Sequence, residues 1–360
     1  MRVVIRTDAS LTIGTGHVVR CLALADGLRS RGADVLFVCR EHPGDLIALI
    51  KSKSFSVVSM QSLAAEYVTA PDDVTHAVWL GVSWLMDADE TIDAIRATHP
   101  EWLIVDHYAI DRRWELKLRP HVDKIMVIDD LADRPHDCDL LLDQNQTDET
   151  RYDSVVPISC TKLIGPKYAM LRSDFVVARK NLRLYNNQVK RVLIFFGGVD
   201  PTNETEKVLR VLARIVGRIF EIDVVVGSRN PYKHQIQNLC NEHYGVSFYC
   251  QVDNMAELMA EADLAFGSGG GAAWERCCLG LPTLVTELAE NQRQVIKTLI
   301  DCGAAQQYCI STIGDDEKLV QLLSELTRQP GTLYRMSNAG LSVCDGYGIE
   351  RISSVLLGER

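Results

Sequence analysis

Residues 263–285 read DLAFGSGGGAAWERCCLGLPTLV, and this stretch decides the fold class. An apolar run of strand length ends at Ser268, and Gly269, Gly270 and Gly271 lead into a segment with helical periodicity. A second apolar run of strand length follows that segment. A strand, a glycine turn, a helix and another strand in this order predict a βαβ unit of a parallel sheet, the building block of Rossmann-like domains.

The glycine turn is also a candidate nucleotide-binding site. Successive backbone N–H groups from Ser268 to Gly271 can surround a diphosphate. Glu275 follows one helical turn after Gly271, and its carboxylate can accept two hydroxyl hydrogen bonds from a ribose. The alternative is a purely structural turn, but three consecutive glycines at a helix start are costly unless access to the backbone is used.

Apolar runs and helical segments alternate through the C-terminal half of the chain. Besides the run that ends at Ser268, the sequence places strand-length runs at 191–198, 222–228, 246–252 and 282–287, and helical segments at 203–216, 232–242, 254–262, 270–279 and 291–302. We therefore predict a Rossmann-like domain over residues 190–360. Helices over 316–357 complete this second domain. The last of these helices could instead pack against the first domain.

Two further segments of this domain are weaker candidates for ligand contact. Gly198 ends the strand-length run of FFGGVDPTNE, where a phosphate-facing turn and simple packing are equally consistent with the sequence. Met255 opens a helix after the run VSFYCQV, and the main chain of the intervening turn could pair with the edge of a uracil base.

The N-terminal half shows the same alternation. Strand-length runs stand at 2–8, 34–40, 55–60, 101–108, 124–130 and 138–145, with helical segments at 17–31, 43–53 and 85–97. These runs predict a first Rossmann-like domain over residues 1–182. The polar, aperiodic stretch 181–190 is the expected linker.

Length and composition agree with two globular domains. The chain has 360 residues, of which 47% are hydrophobic, and its net charge of −10 argues against binding to nucleic acid or an anionic membrane. The eleven cysteines form no C-x-x-C pair, and no apolar stretch approaches the roughly 18 residues of a membrane span. We expect a soluble cytoplasmic protein with reduced thiols.

The first strand leads into the candidate catalytic loop. The strand is followed by Asp8 and then by a glycine turn at Gly14 and Gly16. A helical segment begins at His17, and Arg20 lies one turn later in it. The positive end of a helix dipole disfavours imidazolium, so His17 could act as a neutral general base. The alternatives are that His17 merely begins the helix and that Arg20 is a solvated charge, although Arg20 could also hold a carboxylate or phosphate.

Polar residues follow three other strands of the first domain. Because ligands gather at the carboxyl ends of strands in open α/β sheets, these residues are candidates for the same crevice, and ordinary turn-forming polarity is the alternative. They are Asp106, His107, Tyr108, Asp129, Asp130, Asp143, Gln144 and Asn145. Asp87 and Asp89 imitate a D-x-D metal motif, but they fall at a helix start, where acids favour the dipole.

The motifs together resemble one family, the UDP-sugar hydrolases of pseudaminic acid biosynthesis, which act on UDP-2,4-diacetamido-2,4,6-trideoxy-β-L-altropyranose. The resemblance covers nearly the whole chain and lies in RTDASLTIGTGHVVRCLALA, IVDHYAID, IDDLADRPHDCDLLLDQN, LIGPKYAMLR, GGVDPTN, GSGGGAAWERCCLGLP and ENQ. More distantly, the chain is similar to MurG glycosyltransferases. The resemblance implies a GT-B fold, in which two Rossmann-like domains face each other across a cleft.

The resemblance also implies roles for particular residues. His17 would activate water, Tyr108 and Asn291 would lie near the sugar or diphosphate, and Glu275 would bind the uridine ribose. Gln292 follows Asn291 in the ENQ motif and is counted with it. Water would attack the anomeric carbon with inversion, and UDP would leave without a metal or other cofactor. We expect a monomer that binds a UDP-sugar substrate and releases UDP. One departure from the family is that three glycines stand in the nucleotide turn, where relatives carry serine or alanine.

Three other functions remain open on the sequence alone. A GT-B glycosyltransferase would use a UDP-sugar donor and a soluble acceptor in place of water. A nucleotide-sugar binding module would not need His17. A UDP-sugar 2-epimerase would exchange the proton at C2 of the sugar.

Overall fold

The computed structural model describes residues 1–62, 70, 73–145, 147–182, 188–215, 219–310, 315–329 and 331–359. The chain divides into two compact units. Unit 1 comprises Met1–Leu171 and Tyr347–Arg360, and unit 2 comprises Arg172–Gly346. Each unit contains one parallel sheet with helices, so the predicted pair of Rossmann-like domains is confirmed.

Unit 1 has a seven-stranded parallel sheet with the order β3-β2-β1-β4-β5-β6-β7. Its strands are β1 (Arg2–Thr7), β2 (Asp34–Arg40), β3 (Ser56–Met60), β4 (Trp102–Asp106), β5 (Lys124–Ile128), β6 (Leu140–Asp143) and β7 (Thr161–Ile164). The central strands are apolar and buried because helices cover both faces of a parallel sheet. The strand order reverses direction between β1 and β4, which places their carboxyl ends at the topological switch point.

Five helices complete the described part of unit 1. They are α1 (Gly16–Ser30), α2 (Ile47–Ser52), α3 (Trp84–Ile95), α4 (Arg112–Leu118) and, from the end of the chain, α13 (Gly348–Leu357). Helix α13 packs on α1 at Gly27, where an added Cβ would lie 2.2 Å from Ile349 Cγ2. The indole of Trp102 donates a hydrogen bond to the carbonyl of Leu356 at 3.0 Å. The last helix is therefore part of the unit 1 core.

Unit 2 has a six-stranded parallel sheet with the order β10-β9-β8-β11-β12-β13. Its strands are β8 (Arg191–Phe195), β9 (Glu221–Val226), β10 (Val246–Cys250), β11 (Leu264–Ser268), β12 (Thr283–Thr286) and β13 (Ala305–Gln307). Its helices are α5 (Ser173–Lys180), α6 (Glu204–Ala213), α7 (Lys233–Asn241), α8 (Met255–Glu261), α9 (Ala272–Cys278), α10 (Arg293–Asp301), α11 (Asp315–Arg328) and α12 (Thr332–Val343). The strand order reverses between β8 and β11.

The units differ from the predicted domain bounds of 1–182 and 190–360 at two places. Helix α5 lies in unit 2 because it packs on α8 and α9, and Arg179 of α5 donates to the carbonyl of Cys278 at 2.6 Å. Helix α13 lies in unit 1 for the reasons given above. Part of the predicted linker, residues 183–187, lies outside the described residues.

Candidate functional site

His17 and Asp106 form the centre of a polar cluster in unit 1. His17 is the second residue of α1, and Asp106 is the last residue of the neighbouring strand β4. The Nδ1 atom of His17 lies 2.5 Å from Oδ1 of Asp106. Among the described residues, Nε2 of His17 has no hydrogen-bond partner. A proton on Nδ1 that is donated to Asp106 leaves the lone pair of Nε2 available to accept a proton.

Arg20 holds Asp106 from the next turn of α1. Its Nε and Nη2 atoms donate to the two carboxylate oxygens at 2.7 and 2.6 Å, which is a bidentate pair. Burial alone would raise the pKa of Asp106, but the charges of Arg20 and His17 and their hydrogen bonds hold that pKa well below its usual range. Asp106 is therefore ionised at any physiological pH. Arg20 therefore forms an ion pair with the Asp106 carboxylate and is not the solvated charge that the sequence left open.

Tyr108 and Asp130 extend the cluster along the sheet. The Tyr108 hydroxyl donates to Asp130, whose other oxygen accepts from Asn145 Nδ2 at 2.6 Å. Arg20 Nη1 lies 3.6 Å from the same oxygen of Asp130. Burial and the neighbouring Asp130 raise the pKa of Tyr108, which keeps its hydroxyl protonated. The polar ends of β4, β5 and β6 thus meet, as the sequence predicts.

An aromatic group covers one side of His17, and part of it was missed by sequence reasoning. The Tyr108 ring lies edge-on to His17 at 4.6 Å between centroids and stacks with Trp79 at 5.6 Å. His76 lies 4.5 Å from Trp79, and its pKa is lowered by burial. Trp79 and His76 belong to a short segment without strand or helix periodicity, so the only sequence signal was the aromatic content of HAVWLG.

Asp8 is buried, and it pairs with Arg6, Arg40 and His107 rather than with the residues of the cluster. It is 1% exposed, and its carboxylate pairs with Arg6 at 2.6 Å, accepts the N–H of Arg40 at 2.7 Å and lies 3.2 Å from His107 Nε2. Burial opposes its ionisation, but the charge of Arg6 lowers the pKa of Asp8 well below its usual value. From its place at the end of the first strand, Asp8 is predicted to bind substrate; this stays a prediction, and its burial disfavours the contact.

The glycine turn before His17 has the conformation that its sequence requires. Gly14 has a φ of +82° and donates to the carbonyl of Ser10 at 2.9 Å, a left-handed position that favours glycine. Gly16 is the first residue of α1, and an added Cβ there would meet no atom within 4 Å. The backbone beside His17 is therefore open to a ligand.

The nucleotide turn predicted in unit 2 follows β11, at the switch point of that sheet. Gly270 and Gly271 donate no hydrogen bond within the described residues, and Gly271 is exposed. Gly269 has a different reason to be glycine, because an added Cβ would lie 2.6 Å from Ile296 Cγ1 and 2.9 Å from the carbonyl of Gln292. None of the three glycines donates a backbone hydrogen bond within the described residues, and Gly270 and Gly271 are the two that are not buried.

Glu275 lies on α9, one turn after Gly271. Its side chain is half-buried, and its carboxylate has no hydrogen-bond partner among the described residues. Burial raises the pKa of Glu275 to about 7, although the charges of Arg172 and Arg276 oppose that rise. A half-buried carboxylate without a donor is an acceptor available to a ligand hydroxyl.

The remaining predicted residues of unit 2 surround the same end of the sheet. Gly198 follows β8, and its backbone approaches Gly227 after β9 so closely that a Cβ on Gly227 would lie 2.2 Å from the Gly198 oxygen. Met255 is buried at the start of α8. Asn291 is exposed, whereas Gln292 accepts the N–H of Leu288 at 3.2 Å and its amide nitrogen lies beside Gly270.

The acidic pair that imitates a metal motif has structural partners. Asp87 is buried and accepts hydrogen bonds from Arg6, Arg40 and the indole of Trp114, and Asp89 pairs with Lys117 at 2.8 Å. In the part of the chain that the structure describes, no group of three or more His, Cys, Asp or Glu side chains could hold a metal ion. Over the same residues, no helix has both the length and the apolarity to cross a membrane.

Comparisons with known proteins confirm the resemblance predicted from the sequence. Residues 192–345 match the glycosyltransferase family 28 C-terminal domain. The chain is 29% identical, over 86% of its length and 99% of the relative's, to UDP-2,4-diacetamido-2,4,6-trideoxy-beta-L-altropyranose hydrolase of Campylobacter jejuni. It is 28% identical over 82% of its length to the uncharacterised protein MJ1062 of Methanocaldococcus jannaschii, of which it spans 57%.

Solved structures agree on the fold. MurG of Acinetobacter baumannii superposes with a TM-score of 0.66 over 99% of both chains at 14% identity. A likeness at this identity identifies the fold alone, and the chain therefore has the two-unit architecture of GT-B glycosyltransferases.

Proposed function

We propose that this chain is a hydrolase that cleaves a UDP-sugar to UDP and the free sugar. The observation that carries the proposal is the His17–Asp106 pair, in which Asp106 holds Nδ1 and leaves Nε2 without a partner in the described residues. The similarity to the Campylobacter hydrolase over 86% of the chain supports UDP-2,4-diacetamido-2,4,6-trideoxy-β-L-altropyranose as the substrate, which would place the enzyme in pseudaminic acid biosynthesis.

In the proposed reaction, Nε2 of His17 accepts a proton from a water molecule as the water oxygen attacks the anomeric carbon. The bond between that carbon and the diphosphate oxygen breaks, and UDP leaves with the electron pair. Asp106 fixes the tautomer of His17 and stabilises the imidazolium that forms. A single displacement inverts the anomeric configuration. No second carboxylic acid is required, because UDP is a good leaving group.

Unit 2 would hold the nucleotide. The free N–H groups of Gly270 and Gly271 suit the diphosphate, and the unpartnered carboxylate of Glu275 suits the ribose hydroxyls. Gly198 and Ser268 flank the diphosphate in this proposal, and the main chain at Met255 contacts the uracil.

The other predicted residues would contact the sugar or the diphosphate. Tyr108 keeps its hydroxyl protonated beside His17, and Arg20 places a positive charge at the same edge of the sheet. Asn291 and Gln292 directly precede α10, and Gln292 lies beside Gly269 and Gly270 of the turn. We further propose that the enzyme is a metal-independent cytoplasmic monomer.

One experiment tests the reaction directly. The protein is incubated with a panel of UDP-sugars in H₂¹⁸O without an acceptor, and the early products are examined by NMR and mass spectrometry. The proposal expects UDP, a free sugar of inverted anomeric configuration and ¹⁸O in the sugar. Incorporation of ¹⁸O into UDP would mean attack at phosphorus and would contradict the mechanism. Loss of activity on chelation, with recovery on adding a divalent ion, would contradict metal independence.

A glycosyltransferase is the second candidate, because residues 192–345 match a glycosyltransferase family domain. It would release UDP slowly in water and much faster when a soluble acceptor is added. Deuterium exchange at C2 of the sugar would instead identify an epimerase. Tight UDP-sugar binding without any turnover would identify a binding module.

A further inference from the structure

Arg276 is a buried cation without an acidic partner in the described residues. Four arginines of the described residues are buried, namely Arg6, Arg40, Arg134 and Arg276. Arg6 and Arg40 pair with Asp87, and Arg134 pairs with an aspartate at 2.8 Å. Arg276 is 2% exposed and forms no ion pair with a carboxylate of the described residues. Burying a charge in this way is costly unless a counter-ion is supplied.

The guanidinium of Arg276 lies directly under the glycine turn. Its Nη2 donates to the carbonyl of Ser268 at 2.6 Å, and its Nε donates to Thr283 Oγ1 at 3.2 Å. Its Nη1 is buried without a hydrogen-bond partner and lies against Gly267, where an added Cβ would be 2.5 Å away. One guanidinium nitrogen is therefore unsatisfied at the strand end from which the turn begins.

The surroundings do not neutralise this charge. Burial lowers the pKa of Arg276 to about 10, so the group is still protonated at neutral pH. The titratable side chains whose charges would act on its pKa are those of Cys277, Glu275 and Tyr308. Burial raises the pKa of both Cys277 and Tyr308, which are neutral under these conditions. Within the described residues, Glu275 forms no hydrogen bond or ion pair with the guanidinium.

We propose that Arg276 is a positioning and charge-compensating residue for the nucleotide, and that the diphosphate bound at the Ser268–Gly271 turn is its counter-ion. This inference rests on the proposed function, since it assumes that the turn holds a diphosphate. Arg276 acts through the Ser268 carbonyl and through its field, not by direct contact with the phosphates. Its hydrogen bond to that carbonyl polarises the peptide group whose N–H belongs to Gly269.

The test compares the dissociation constants of UDP and uridine, measured by calorimetry and by ligand-observed NMR. Arg276→Gln keeps a donor for the Ser268 carbonyl but removes the charge, so UDP should bind about ten- to fiftyfold more weakly. Uridine, which has no phosphate, should change by less than about twofold. Arg276→Lys retains the charge and should keep UDP affinity within about fivefold of wild type.

Two controls make the comparison specific. Arg335→Gln removes an exposed arginine of the same unit and should leave UDP affinity unchanged. Arg276→Met, which fills similar volume, repeats the comparison if the glutamine variant does not fold.

Equal UDP affinity of Arg276→Gln and wild type, or an equal loss for UDP and uridine, would overturn the inference. Wild-type protein that binds UDP without hydrolysing a UDP-sugar would refute only the proposed function, and failure to bind UDP would refute both.

Discussion

His17 and Asp106 are 89 residues apart in the sequence, yet their Nδ1 and Oδ1 atoms lie 2.5 Å apart because β1 and β4 are neighbours in the sheet. The first strand leads into the helix that carries His17, and the fourth strand ends at Asp106. The contact therefore depends on the reversal of strand order and on no local motif. It gives the candidate base a fixed orientation and a permanently charged partner.

His17→Asn should abolish most turnover while preserving the fold. A small polar side chain still suits a helix start, but it cannot accept a proton from water. We expect kcat to fall roughly 10²–10⁴-fold with little change in KM, because proton transfer matters in the transition state rather than in binding. Steady-state kinetics measure this, and UDP affinity of the variant serves as the control. A variant with near-wild-type kcat would move the search for the base to Asp8, His107 or Asp130.

Asp106→Asn should lower kcat by about 10²–10⁴-fold, because an amide neither fixes the required tautomer of His17 nor stabilises imidazolium. It should also lower thermal stability, since Arg20 loses its bidentate partner in a buried site. Cys21→Ala is the matched control, because the Cys21 thiol also contacts Asp106, at 3.3 Å, without touching His17. It should keep kcat within about threefold. Equal losses in both variants would indicate general disruption instead.

Glu275→Ala should weaken UDP binding by about 1–3 kcal/mol, the usual range for losing charge-assisted hydrogen bonds. Calorimetry at pH 8 measures the change. Glu275→Gln should lie between the alanine variant and wild type, since its amide oxygen accepts hydrogen bonds without a charge. Unchanged affinity in both variants would remove Glu275 from the nucleotide site.

The pKa of Glu275 near 7 also predicts a pH dependence of binding. The ionised carboxylate accepts ribose hydroxyls, so affinity should be full above about pH 7 and fall by up to tenfold per unit below it. The measurement uses a UDP-sugar on the His17→Asn background, where the substrate survives and position 17 carries no ionisable side chain. Adding Glu275→Gln should flatten the profile between pH 5 and 8, and a slope that persists would assign the titration to another group.

Two glycines of the nucleotide turn should respond differently to alanine. Gly269→Ala should destabilise the protein by about 1–3 kcal/mol, because its Cβ would meet Ile296 and the Gln292 backbone. Gly271→Ala should be neutral or stabilise by up to about 1 kcal/mol, since its φ of −53° suits alanine and no atom lies within 4 Å. Thermal unfolding of both variants tests this. Equal destabilisation would contradict the assignment of Gly269 to packing.

Much of the fold could be predicted because buried parallel strands leave long apolar runs. The runs that end at Asp8, Asp130 and Ser268 each coincide with a strand. The elements that were missed are short, such as β7 with four residues and β13 with three, and their hydrophobic pattern is too brief to detect. The domain boundary was misplaced because the position of α5 depends on its packing against α8 and α9, which local sequence does not record.

The candidate site was predicted in its residue types but not in its pairings. Residues at the ends of β4 and β5 were expected to share a crevice, and Asp106, Tyr108 and Asp130 do contact each other through hydrogen bonds or shared partners. Burial of Asp8 and the stacking of Trp79 on Tyr108 could not be foreseen, because both depend on segments distant in sequence. The unsatisfied nitrogen of Arg276 likewise becomes visible only when its surroundings are known.

The position of α13 has a consequence for the order of events during synthesis. Unit 2 is one uninterrupted segment, whereas unit 1 needs Gly348–Leu357 to cover α1 at Gly27 and to satisfy the Trp102 indole. Residues 1–171 therefore emerge from the ribosome with part of their core uncovered. That part stays uncovered until all of unit 2 and then α13 have been translated. The half of the protein that is made first is the half that finishes folding last.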